Sequence, residues 1–307
     1  MKPVLSIIIT SLEDYQETQY TIESIRATAG DDVEVIVVDD ATQVPLSLTD
    51  KKSLLIRNNE RAGVGPSRHI GATVATSDYL LITDSHMRFE PGWLDRALKR
   101  IVGRLHTIHC ASCVALSPDM MDMARAQHAY CGAGLNLYGA DKNKHGVTQI
   151  LEGVWLPTPA SDDQPLACIM GATYFMPTDW FFHINGLRML RGWGSDEPLL
   201  SIKTWLAGGE CRALPGVRIG HQFRPASPYR TANWNLIYNK MMIARTCMDT
   251  ALANKLCRLF EGAEELITAK TRMTEDMGQI LAERTYLQSI FVHDFPWYCA
   301  KFNITIP

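Results

Sequence analysis

The chain opens with an unbroken apolar run, Val4–Thr10, of the length of a strand buried on both faces. Three further runs follow at close intervals: Val33–Asp40, the shorter Ser53–Arg57, and Asp78–His86. Between the first two, Tyr15–Ala29 carries helical spacing, with Tyr20, Ile22, Ile25 and Ala29 available to pack. Ala62–Ala75 opens with glycines and continues as a helix with small residues on one side, and Pro91–Val102 is a helix with proline at its start. This alternation predicts a mostly parallel sheet with helices on its faces. Residues 117–165 mix Gly, Pro, Asp and aromatics and read as long loops beside the sheet. Cys168–Pro177 is strand-like, Glu197–Gly209 reads as a helix ending in glycine, and Glu210–Phe223 as a strand and loop. From Asn233 to about Ser289 the pattern is helical, with Met and Leu at core spacing. The expected organisation is an α/β catalytic domain over residues 1–249, with residues 250–307 a helical extension packed on it.

Composition excludes several classes of function. A formal net charge of −3 argues against a chain that coats nucleic acid or anionic membrane through charge alone, although a local basic groove can hide within it. No apolar run approaches the roughly 20 residues a membrane helix needs. The N-terminal run meets Glu13 and Asp14 and reads as a first strand, not a signal peptide, so no membrane partner is expected. The eight cysteines are scattered, and the Cys110–Cys113 pair sits in an apolar strand-like segment, so buried free thiols in a reducing compartment are expected.

Candidate chemistry gathers at strand ends, where open α/β sheets hold their ligands. Asp39 and Asp40 close an apolar strand; one caps the next turn, and the other can accept hydrogen bonds from a nucleotide base or ribose. In Asp84-Ser85-His86 the outer two side chains share a face, so they can grip one cation while Ser85 faces away. The loop Arg61–Arg68 offers two glycines and two arginines before a helix, suited to phosphate or carboxylate. Gly192–Glu197 places Trp193 between glycines, then Asp196 and Glu197 at a helix start. His221–Tyr229 follows a strand and adds an imidazole, Arg224 and Tyr229.

Together these motifs resemble the polypeptide N-acetylgalactosaminyltransferases, enzymes of the GT-A glycosyltransferase fold. RAGVGPSRHIGATVATSDYLLITDSH is similar to that family's R-x-G-L-x-x-x-R-x-x-G-A…LDSH stretch, with the same spacing from Arg61 to Asp84. The run from Gly192 to Tyr229 is similar to its WGGEN…W-x-C-G-G…VGHVFR-x-x-x-PY run. The resemblance implies a Rossmann-like mixed sheet, and a UDP-sugar donor. It places Asp84, His86 and His221 as ligands of manganese, with magnesium the alternative. It puts Asp39 or Asp40 near the uridine, Asp39 preferred, and Arg61 on the nucleotide. Gly63, Arg68, Ser85 and Gly171 join the expected donor pocket. Arg224 and Tyr229 would hold the diphosphate, Trp193 would move with their loop, and Asp196 would lie near the acceptor, with Glu197 beside it as a further catalytic acid.

Two departures bear on substrate. Ile169-Met170-Gly171 stands where the family has A-G-G, which reshapes the sugar pocket, so the sugar is GalNAc or a related hexose. Gly194-Ser195-Asp196-Glu197 replaces GGEN; tandem acids after GWG also resemble the inverting galactosyltransferases, while the flanking run favours retention. Lacking an evident anchor or lectin domain, the chain is expected to be a cytoplasmic enzyme of bacterial or viral origin. The acceptor classes are a protein Ser/Thr hydroxyl, a saccharide, or a hydroxylated base of viral DNA. For the last, Arg188, Arg191, Arg224 and Arg230 can line a groove, while Arg96, Lys99, Arg100 and Arg104 read as a solvated helix face. A non-catalytic nucleotide-sugar binder is the competing class, and the intact Asp84, His86 and His221 argue against it. A dehydrogenase would need glycines where the chain has Ser11-Leu12-Glu13.

Overall fold

A computed structural model describes residues 2–117, 121–126, 128–138, 149–224 and 230–306. The first half alternates as the apolar runs dictate: β1 (Leu5–Ser11), α1 (Tyr15–Ala29), β2 (Val33–Asp39), β3 (Leu54–Arg57), α2 (Val64–Thr73), β4 (Tyr79–Asp84), β5 (Met87–Phe89), α3 (Trp93–Ile101) and β6 (Thr107–Leu116). Then come β7 (Ala129–Tyr130), β8 (Ala133–Asn136), β9 (Glu152–Trp155), β10 (Thr173–Pro177), α4 (Thr178–His183), α5 (Asp196–Leu206) and β11 (Glu210–Gln222). Five helices follow: α6 (Asn233–Cys247), α7 (Thr250–Arg258), α8 (Leu266–Glu275), α9 (Met277–Ile290) and α10 (Phe295–Lys301).

The main sheet runs β3-β2-β1-β4-β10-β6-β11-β5, with β7 paired on β6. β1 is parallel to β2 and β4, whereas β10 is antiparallel to both β4 and β6. β6 therefore runs with β4, and β11, parallel to β6, does too. The carboxyl ends of β1, β2, β4 and β11 thus share one edge of a mixed sheet. The stretch read as loops contains three short strands, of which β8 and β9 form a separate two-stranded sheet; no window there has the length or alternation of an independent strand.

Alternation within each strand divides the core. Ile7, Ile9, Val35, Val37 and Leu81 pack toward α1 and α3, while Ile8, Ile36, Leu80 and Ile82 face the larger cluster with α5 to α10. Tyr20, read as a packing position, is exposed with the Arg88 guanidinium over its ring; Thr18, Thr21, Ile22 and Ile25 bury the helix instead. All eight cysteines are free and buried. The C-terminal helices are tied into the core: the Lys203 ammonium of α5, fully buried, bonds Glu283 of α9 at 3.0 Å and the Gly186 carbonyl at 3.2 Å. Among the described residues no helix is long and apolar enough to cross a membrane.

Candidate active site

Asp84 ends β4, and the chain turns at Ser85-His86 into β5, whose Met87 pairs with His221 of β11. This return brings three side chains from distant parts of the sequence together. One ligand atom from each of Asp84, His86 and His221 lies within 4.8 Å of the others. His221 Nε2 is 3.3 Å from Asp84 Oδ2, and His86 Nε2 is 3.8 Å from the same oxygen. Burial would raise the Asp84 carboxyl, but His221, Arg68 and His86 pull it far below the ordinary carboxylate range. An ionised carboxylate beside two imidazoles is a donor set that fits a divalent transition ion better than magnesium, which prefers oxygen. His221 Nδ1 is buried without a hydrogen-bond partner among the described residues, and the ring lies edge-on to Phe223 with centroids 4.4 Å apart.

Asp14, between β1 and α1, reads along the sequence as a polar stop, yet the fold places it in this cluster. Its Oδ2 accepts from Ser85 Oγ and Arg224 Nη2 and lies 3.3 Å from His86 Nδ1. The Ser85 hydroxyl is committed to Asp14 and lies 3.3 Å from His86 Nδ1. The signal for Asp14 was its place: a carboxylate following the first parallel strand, at the ligand-collecting edge. Arg224 thus reaches the same pocket as the candidate metal ligands. Tyr229 lies outside the described residues.

Arg68 of α2, nearly inaccessible, joins this cluster to α5. One guanidinium nitrogen bonds Asp84 and the other bonds Asp196 at 3.1 Å. Burial first, opposed by Arg68, leaves the Asp196 carboxyl above its ordinary value. Burial also raises Glu197, whose Oε1 accepts from the Tyr174 hydroxyl at 2.6 Å. Both acids sit in the first turn of α5, where the helix dipole suits them.

Asp39, the last residue of β2, and Asp40 after it fix loops. Asp39 accepts from Thr42 N and Oγ1 at 2.9 and 2.8 Å, from Leu46 N at 3.1 Å, and from Arg57. Asp40 accepts from Ala62 N at 2.8 Å, Gly63 N at 2.9 Å, and the side chains of Asn58 and Ser67. The Asp40 bonds shape the turn after Arg61. There Gly63, at φ +102°, touches Gly192: a Cβ would stand 2.1 Å from the Gly192 carbonyl oxygen. Trp193 is thereby mounted on a turn held from two sides. Asn239 of α6 accepts from Arg191 N at 2.8 Å and donates to the carbonyls of Arg191 and Gly194, both at 2.9 Å.

Beyond the Asp84, His86 and His221 cluster, Gly171 (φ +104°) lies against Trp155 and Cys113. Trp155 joins Tyr130 and Phe223 around an open cleft of about 550 Å3, with Tyr130 and Trp155 ring centroids 4.9 Å apart. Arg96, Arg100 and Arg104 of the α3 region pair with Glu90, Asp162 and Asp163, as a solvated face does.

Residues 6–155 match glycosyl transferase family 2. The chain is 30% identical over 261 residues to polypeptide N-acetylgalactosaminyltransferase 16 of Mus musculus, covering 80% of this chain and 46% of that protein. It is 26% identical to polypeptide N-acetylgalactosaminyltransferase 8 of Drosophila melanogaster, covering 96% of this chain and 50% of that protein. The chain spans about half the length of these curated relatives, which are animal proteins. Among solved structures, GalNAc-T7 with UDP, GalNAc and Mn2+ superposes with a TM-score of 0.69 at 15% identity, covering 98% of this chain and 56% of that one. S. aureus TarS with UDP-GlcNAc superposes with a TM-score of 0.51 at 10% identity, covering 93% and 81%. The mixed sheet with flanking helices is the GT-A fold.

Proposed function

We propose that this polypeptide N-acetylgalactosaminyltransferase-like chain with a GT-A fold transfers a hexose, GalNAc or a close relative, from a UDP-sugar to an acceptor hydroxyl with retention. The observation that carries the reading is the convergence of Asp84, His86 and His221 at the sheet's carboxyl edge, with Arg68 and Arg224 beside them. The three ligands would hold manganese, which when bound supplies a Lewis acid for the charge shed onto the departing diphosphate. Arg224, now on Asp14, is placed to give a charge-assisted hydrogen bond to that diphosphate. Arg61 and the Asp40-ordered turn border the nucleotide's expected place.

In the transfer the anomeric C–O bond to the phosphate breaks and a C–O bond to the acceptor oxygen forms. The acceptor's proton needs a base. Asp196 is bound to Arg68 and Glu197 accepts from Tyr174, so neither acid stands as an unengaged carboxylate. This supports the departing phosphate oxygen as base, with acceptor and leaving group on one face of the sugar, and hence retention. The relatives' names make a protein Ser/Thr hydroxyl the first acceptor class to assay.

A UDP-sugar panel with Mn2+, scored by UDP release, tests the reading. UDP plus Mn2+ is expected to raise the melting temperature well beyond either alone, and His221→Ala to abolish the joint shift while leaving the apoprotein folded. Equal shifts with ADP, or full UDP release by His221→Ala, would overturn it.

A further inference from the structure

A larger cleft, of about 810 Å3, lies between the 60–66 turn, the 188–193 segment and helices α6, α8 and α9. Five arginines line it: Arg61, at the edge assigned above to the nucleotide, and Arg188, Arg191, Arg230 and Arg272. They face two carboxylates, Glu60 and Asp276. In a chain whose formal net charge is −3, this is a local reversal of sign. Asp276 is already committed, accepting from Arg191 at 2.7 and 2.6 Å and from the Tyr238 hydroxyl at 2.6 Å. Arg61, Arg188, Arg230 and Arg272 are exposed on the walls, Arg272 being paired at the surface with Glu275 at 2.8 Å.

Flat rings stand among these charges. Trp193 and Trp234 both line the cleft, and the Arg272 guanidinium lies over the Trp234 ring at 6.0 Å. Trp193 also connects the cleft to the transfer site. It precedes Asp196 by three residues, and Asp196 shares Arg68 with the metal ligand Asp84.

We infer that this cleft binds a nucleic-acid strand, which delivers the acceptor hydroxyl to the transfer site; the inference rests on the sugar-transferase reading above. Guanidinium groups interleaved with indole planes match a chain of phosphates bearing stackable bases. An acidic or phosphorylated peptide would use the arginines and leave the rings idle. An uncharged Ser/Thr peptide would use neither.

Fluorescence anisotropy with a short fluorescein-labelled single strand, repeated across a salt series, tests this on the full chain. A phosphopeptide of equal length and charge is the comparison ligand. Replacing Arg188→Gln, Arg230→Gln and Arg272→Gln together is expected to weaken strand binding about ten-fold or more and to lower the salt slope by about 2, at ~0.7 per lost phosphate contact. Trp234→Ala is expected to weaken the strand about five-fold or more and to leave the phosphopeptide unchanged. Equal affinity for both ligands, or a strand affinity indifferent to the arginine replacements, overturns the inference. The UDP–Mn2+ melting shift, measured on the same samples, separates the two readings. A retained shift without strand binding sinks only the nucleic-acid acceptor; a wild-type chain with no shift sinks the transferase reading itself.

Discussion

His86 Nδ1 lies 3.3 Å from Asp14 Oδ2, and the direction of that bond decides which imidazole nitrogen is left for a cation. Burial would raise the Asp14 carboxyl, but the bonds from His86, Arg224 and Ser85 bring it down to about 2. A carboxylate only accepts, so Nδ1 carries the proton and Nε2 presents its lone pair beside Asp84. Asp14→Ala is expected to weaken Mn2+ binding by roughly 10–100-fold, with Asp14→Asn intermediate. Titration of Mn2+ followed by the electron paramagnetic resonance of the free ion checks this without turnover. Unchanged affinity would remove Asp14 from the site.

Arg68 is the only side chain shown bonding both Asp84 and Asp196 among the described residues. Arg68→Met leaves two carboxylates in one poorly hydrated space. Breaking a buried pair in this way costs about 3–5 kcal/mol. Urea unfolding should show a loss of that order, and Arg68→Lys should recover part of it. A midpoint unmoved by Arg68→Met would contradict the buried network.

Gly63→Ala sets backbone conformation and space against each other's tolerance. The residue would hold φ +102° with its Cβ inside the Gly192 backbone. The expected loss exceeds about 2 kcal/mol, with a fall in UDP affinity as the 61–63 and 191–194 turns separate. Gly216→Ala, where a Cβ meets nothing within 4 Å, is the control and should stay within about 0.5 kcal/mol. Melting curves of the pair decide it.

Stability should fall as pH drops from about 6.5 toward 4. Burial, then the Arg104 charge, lowers His109 to about 4; burial, then Lys203, does the same for His69. Above the unfolded value of 6.5 neither state is protonated. Between the two values the unfolded chain takes up the protons and is favoured. For His109 the full window is worth on the order of 3 kcal/mol. Urea midpoints at pH 7, 5.5 and 4.5 measure the slope, and His109→Gln should flatten it.

The strands that build the ligand edge were legible because β1, β2 and β4 are continuous apolar runs with polar ends; His86 reaches Asp84 through the turn after β4, not through strand alternation. The β8–β9 pair was not, because strands of four residues draw their stability from partners that sequence spacing does not name. Asp39 and Asp40 could be read as a turn cap and a ligand group. The turn they fix depends on Arg57 and Gly63, which reach them only in the fold. Asp14 was hidden for the same reason: its partners, Ser85, His86 and Arg224, are at least 71 residues away.

The ammonium of Lys203 has a last implication. A chain cut after residue 249 would keep every described strand and all three candidate metal ligands, yet would leave a buried cation with its countercharge on the discarded piece. Residues 1–249 are therefore not a self-sufficient module that trimming could liberate; the helices after them complete the interior on which the rest condenses.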